Sequence, residues 1–220
     1  MDEQNKNRLE KIAGFVAERL EQMAADHPSP DHDPAYRWEH TLRVAQYGRQ
    51  LARAEGADID VVVAACLLHD VSHFDPLVDY NDHGRLGAEI SRSFLETLGY
   101  TSEQIDDICY AIAMHVDGDA GYAHEPTLEA SIVSDADNID RFGAYRILWW
   151  CVPEMNDLPA LTEKLRQRLV RLEKYRHDNP LETVAGRLLF ARQLDRQIAF
   201  FQDLITEAEL TRLFDEGTNS

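Results

Sequence analysis

The chain is poor in cations and nearly without lysine. It carries 22 Lys and Arg against 40 Asp and Glu among 220 residues, a formal charge of −18. The lysines are Lys6, Lys11, Lys164 and Lys174, all outside the stretch from Trp38 to Ile147. An acidic field of this size repels phosphate backbones and argues against nonspecific binding to a nucleic acid duplex. A small phosphorylated substrate stays open, because a bound cation inverts the local sign of a pocket. Cysteine is scarce as well. Cys66, Cys109 and Cys151 are scattered and form no CxxC pair, which argues against a disulfide framework and suits a reducing, cytoplasmic setting. No apolar run approaches the roughly 20 residues of a membrane span. The charged, amphipathic N-terminus does not read as a signal peptide, so no membrane association is expected. A GxxxxGK[ST] loop is missing, so a phosphate would be held by side chains and metal.

What is present is helical periodicity along almost the whole chain. Leu9, Ile12, Ala13, Val16 and Leu20 form one stripe. Three prolines in DHPSPDHDPA then break the chain before a helix predicted from about Trp38 to Ala54. Asp58 or Asp60 can cap an apolar helix over Val61–His69. A loop is expected over Phe74–Gly84, then a helix over Arg85–Leu98 closed by Gly99. The next helix opens at TSEQ, with Thr101 or Ser102 as its cap. A helix from Thr127 is expected to run through LEASIVSDADNIDRFGAYRI, and a last long one to cover about Leu181 to Phe214. The expected fold is all-α, a single globular domain of roughly nine helices over 1–220, with no repeats and no alternating strands. Trp149, Trp150 and the C-terminal leucine stripes are read as core by default; covering the pocket or forming a homodimer face are their other uses.

Nine histidines stand in this pattern. His27, His32, His124 and His177 fall in loops or on polar faces. The other five do not. His40 shares a face with Val44, Tyr47 and Leu51. His83 is in phase with Leu86, Gly87 and Ile90, and His115 continues the stripe of Ile105, Ile108 and Ile112. His69 closes the most apolar helix beside Asp70, and His73 sits one turn beyond. Acids at Asp135, Asp137 and Asp140 interrupt another apolar helix, and Asp137 and Asp140 share a face at i,i+3. Buried acids need a cation. Arginine ion pairs are one answer, and a divalent metal satisfying several groups together is the other.

His40, then His69–Asp70, then Asp137 in SDADNID resembles the H…HD…D pattern of the HD-domain metal-dependent phosphohydrolases. The resemblance covers about 36–147, the HD core, followed by a helical C-terminal part at about 159–214. It is closest in kind to small stand-alone bacterial HD hydrolases, through LLHDVSH, HGRLGAEI, AIAMH and EASIVSDADNIDRFGA in that order. It implies an HD-domain helical bundle with His40, His69, Asp70 and Asp137 as metal ligands. Asp135 and Asp140 would orient ligands or waters. His83 and His115 match histidines that hold a second metal in two-metal members. The implied cofactor is one or two divalent ions, Mn, Fe, Ni, Zn or Mg.

The implied reaction is hydrolysis of a phosphate ester or anhydride of a nucleotide or related small molecule by a metal-activated water. Asp70 sits at its centre. His73 is expected to donate a proton to the leaving group or hold a phosphate. Among Arg37, Arg43, Arg85, Arg141 and Arg146, the first choices for stabilising phosphoryl charge are Arg85, beside His83, and Arg141, after Asp140. Three alternatives share the scaffold: a di-iron oxygenase, a cyclic dinucleotide phosphodiesterase and a non-catalytic metal-clamped binding protein. DGDAGYA approaches the HD-GYP signature, but Val116 and Ala123 replace its second histidine and its proline.

Overall fold

The computed structural model describes residues 3–76 and 79–211. Among them are nine α-helices and no strand. They are α1 (Glu3–Asp26), α2 (Pro34–Glu55), α3 (Ile59–Leu68), α4 (His83–Thr97), α5 (Ser102–Met114), α6 (Leu128–Arg141), α7 (Ala144–Cys151), α8 (Leu158–His177) and α9 (Val184–Leu210), with short 3-10 turns at Tyr80–Asp82 and Val152–Glu154. No helix of the described residues is long and apolar enough to cross a membrane. The chain divides into two compact units: the residues up to Asp140 with Glu182–Gly186, and Arg141–Leu181 with the residues from Arg187 onward.

The first unit is built around α3. Asp58 caps it by accepting from the backbone N–H groups of Asp60 and Val61 at 2.9 and 3.2 Å. All eight residues from Val61 to Leu68 are buried, as expected of a helix that is apolar all round. Each large side chain so buried contributes about 1.5–3 kcal/mol, and together they drive the C-terminal end of α3 into the unit. α2 lies against it through a face of small and apolar residues. At Gly48 a Cβ would come within 2.5 Å of Cys66 Sγ, so only glycine permits this approach. α4 and α5 meet in the same way: a Cβ on Gly84 would lie 2.9 Å from the carbonyl oxygen of Ile112.

Several helix limits differ from expectation. α2 starts at Pro34, earlier than Trp38, because Asp33 accepts from the Tyr36 N–H at 2.9 Å and Pro34 suits the first turn. α4 begins at His83 rather than Arg85. The helix expected to continue through Ile147 stops at Arg141, and the extended Gly143 (φ −73°, ψ 160°) begins α7. α9 begins at Val184, three residues after the expected start; Phe214 lies outside the described residues. In the second unit Leu165, Leu172, Phe190 and Phe201 are buried. Trp149, expected in the core, is 47% exposed, while Trp150 is covered by the Lys164 ammonium at 4.4 Å from its ring centre.

Candidate metal centre

Five helices of the first unit converge on Asp70, which is 3% exposed just past the end of α3. α2 contributes His40, α4 His83 at its first position, α5 His115 at its end, and α6 Asp137 and Asp140. His69 and His115 are fixed by one local device. Each follows the last residue of its helix and gives its ring Nδ1–H to the carbonyl three residues back, Cys66 at 2.8 Å and Ile112 at 2.7 Å. A free carbonyl of the helix terminus is thereby satisfied, and Nε2 is left as a lone pair facing the cluster.

The two oxygens of Asp70 face different groups. Oδ2 lies 3.3 Å from His69 Nε2 and 3.6 Å from His40 Nε2. Oδ1 lies 3.1 Å from His83 Nε2 and 3.8 Å from His115 Nε2. His40 Nε2 is also 3.2 Å from Asp137 Oδ1. Imidazole Nε2 atoms approach one another pairwise, His40 with His69 at 3.3 Å and His83 with His115 at 3.2 Å. Ring nitrogens at such distances require a proton or a cation between or beside them. Three sets offer donor atoms within 4.8 Å of one another: His40, His69 and Asp137; His69, Asp70 and His115; Asp70, His73 and His83. This mixed nitrogen and oxygen set fits a first-row divalent ion.

The electrostatics of the metal-free protein agree with that fit. Burial would lower the His40 imidazole, but hydrogen bonds to Asp137 and Asp140 outweigh it and raise its pKa to about 9. The proton this places on Nε2 occupies the direction a metal would take. Burial would raise the Asp70 carboxyl, yet His69, Arg37 and His73 hold it well below the usual carboxylate range. Asp140 Oδ2 accepts from His40 Nδ1 at 2.7 Å, and Arg43 Nε donates to its Oδ1 at 2.7 Å. Arg43 and Asp140 thus orient the His40 ring from behind.

His73 also borders Asp70, with Nδ1 at 3.5 Å from Oδ1. Arg37 donates from Nη1 to Asp70 Oδ2 at 2.6 Å and from Nη2 to His73 Nε2 at 2.6 Å. A guanidinium only donates, so His73 accepts at Nε2 and its proton sits on Nδ1. Burial, helped by the Arg37 charge, lowers the His73 pKa despite Asp70.

Not every candidate gathers here. Arg85 is committed elsewhere: it donates to Asp82, to Asp117 and to the carbonyl of Asp119 at 2.6, 3.1 and 2.6 Å. Arg141, the residue after Asp140, is exposed. Asp135 does not support the ligands. It accepts from the N–H groups of Glu182 and Thr183, both at 2.9 Å, and from the Thr183 hydroxyl at 2.6 Å, tying down the approach to α9. Two residues along a helix is about 200° of rotation, so Asp135 and Asp137 face opposite ways. Arg37 is the residue underweighted from sequence; its i,i+3 spacing to His40 was the available signal.

The family model described as HD domain matches residues 37–141. Over that stretch the chain is similar to an HD domain. Its sequence is similar to a deoxyguanosinetriphosphate triphosphohydrolase-like protein of Streptomyces coelicolor, at 39% identity over 82 residues, 36% of this chain and 18% of that protein. It is also similar to YpgQ of Bacillus subtilis, at 31% identity over 119 residues, 53% of this chain and 56% of YpgQ. The chain therefore spans no more than about half the length of these relatives. Solved structures share the fold. An HD-superfamily hydrolase from Bacillus thuringiensis superposes with a TM-score of 0.64 at 20% identity, covering 93% of this chain and 98% of that one. YpgQ in complex with ADP gives a TM-score of 0.61 at 20% identity, covering 97% and 100%.

Proposed function

We propose that the chain is a cytoplasmic metal-dependent phosphohydrolase acting on a nucleotide or related small phosphate, with Asp70 joining two metal positions. Asp70 Oδ2 with His40, His69 and Asp137 would hold one ion, and Oδ1 with His83 and His115 the other. The observation that carries this reading is the division of the Asp70 oxygens between two separate imidazole pairs. A bound divalent ion supplies Lewis acidity there, polarising a phosphoryl oxygen and bringing the pKa of water toward about 7. The nucleotide class is supported by the triphosphohydrolase-like relative and by the ADP bound to YpgQ.

The chain's own groups do the rest. Arg37 is the phosphate contact in this reading, rather than Arg85 or Arg141. Its side chain is 20% exposed beside the buried Asp70, so the guanidinium fork borders the centre where a phosphoryl oxygen would lie. His73 acts as its positioning residue. Being held neutral, it accepts from Arg37 and is poorly suited to protonate a leaving group. Asp140 and Arg43 keep His40 turned inward, and the buried walls of α3 and α5 limit water around the reacting phosphate.

The test is metal analysis of the purified protein with a panel of nucleoside mono-, di- and triphosphates and an aryl phosphate, supplied with Mn, Fe, Ni, Zn or Mg. Hydrolysis should require metal, vanish in Asp70→Ala and persist in Glu10→Ala, a surface control. Metal content should fall from two ions to one in His83→Ala. A folded, metal-loaded protein that turns over no phosphate refutes the reading.

A further inference from the structure

The helix that presents His40 inward carries a different pattern outward. On α2, Gln46, Arg49, Gln50 and Arg53 follow one another at i,i+3,i+4,i+7 and line a groove of about 520 Å³. Arg49 and Arg53 also border an adjoining groove of about 430 Å³. Gln46, Gln50 and Arg53 are exposed and Arg49 is half-buried. Neither arginine forms an ion pair among the described residues, in a chain with 40 acidic side chains to offer. Asp58 and Asp60 line the second groove and keep their charge, so an anion is placed in the first, whose lining holds no acid. Arg43, one turn back, is held by Asp140. The unspent positive charge of this face therefore lies at Arg49 and Arg53.

We infer that this face of α2 is a second anion site, separate from the metal centre, that takes a small polyphosphate of the class carried by nucleoside di- and triphosphates. Two guanidinium groups one helical turn apart offer paired forks to adjacent phosphate groups. The amides of Gln46 and Gln50 add neutral donors. The groove is shallow and open to solvent, so the contacts come from the guanidinium and amide groups of one helix face rather than from enclosure. Charge complementarity selects the occupant: the chain as a whole repels an anion, and the first groove holds two guanidinium groups and no acid. The solvent exposure makes the interaction strongly salt-dependent.

The inference does not depend on turnover, so its test is a binding measurement. Tripolyphosphate is titrated calorimetrically into the full chain, freed of divalent ions, at low salt. Binding is expected in the wild type and in Arg37→Ala, where the metal centre has lost its own phosphate contact. It should weaken at least about tenfold in the Arg49→Gln, Arg53→Gln double variant, with an unchanged denaturation midpoint. If the double variant folds poorly, Arg53→Gln alone should weaken binding about threefold. Equal binding by the double variant, or no binding by the wild type, overturns the inference. So does a double variant that changes only the sedimentation of the chain, since the face would then be a contact between copies.

Discussion

Replacing Asp140 with alanine removes the acceptor of the His40 Nδ1 hydrogen bond at 2.7 Å and of the Arg43 Nε and Nη2 bonds at 2.7 and 3.2 Å. A hydrogen bond to a charged group contributes about 1.5–3 kcal/mol. The His40 bond is buried and takes that value. The Arg43 side chain is 30% exposed, so water replaces much of its loss, and about 1 kcal/mol covers both of its bonds. The expected destabilisation is about 3 kcal/mol, a factor of about 150 in the folding equilibrium. Urea denaturation of the metal-free protein measures it as a lower midpoint at unchanged slope. Asp140→Asn keeps a neutral acceptor and should cost about half as much. Metal affinity should fall about 10- to 100-fold, because the His40 ring loses its orienting partner. An Asp140→Ala protein within about 0.5 kcal/mol of wild type that retains its metal affinity would show that Asp140 does not position His40.

The metal-free protein should also lose stability as pH rises. The His40 pKa is about 9 when folded against 6.5 unfolded, a raised value, so its contribution is complete below pH 6.5 and is lost as pH passes about 9; a flat thermal melting profile over that range in chelator contradicts this. Arg37→Ala should lower kcat/KM by about 100-fold or more, while Arg85→Ala, a surface pair with Asp82 and Asp117, should stay within about threefold; steady-state kinetics with the best substrate of the panel compares them, and the reverse order refutes the assignment. Gly84→Ala pushes a Cβ against the carbonyl oxygens of Ile112 and Ala113 at 2.9 and 3.1 Å. It should cost about 1–3 kcal/mol and, on the proposed two-ion reading, weaken metal binding at His83 and His115 more than at His40 and His69. Equal loss at both positions, read by metal titration, argues against two separate ions.

Much of the centre was legible because burial and charge conflict so sharply in this chain. Eight apolar residues leading into His69 and Asp70 announce ionisable groups brought into a core. The helical phase of His40, His83 and His115 then shows which other groups face inward. Arg85 shows the limit of that reasoning. Its neighbour His83 enters the centre, yet its guanidinium turns to Asp117, a partner 32 residues away that no helical phase reveals. Asp135 shows another: burial of an acid was correctly anticipated, but its partners are the backbone of 182–183 rather than a metal ligand.

The sequence by itself determined that the chain is helical, through its 3.6-residue period, cap candidates at Asp58 or Asp60 and at Thr101 or Ser102, and the hydrophobic run that makes α3 central. It also determined which imidazoles and carboxylates could be driven inside, because each sits on an apolar stripe. Only the tertiary structure decided that the two oxygens of Asp70 face different histidine pairs, that Arg37 rather than Arg85 reaches it, and that Asp140 stands behind His40. Arg37 reaches Asp70 across 33 residues and Asp140 reaches His40 across 100. These contacts depend on how closely glycines such as Gly48 and Gly84 let whole helices approach. Local periodicity sets which face of a helix is inward, but the position of one inward atom relative to another is set by packing.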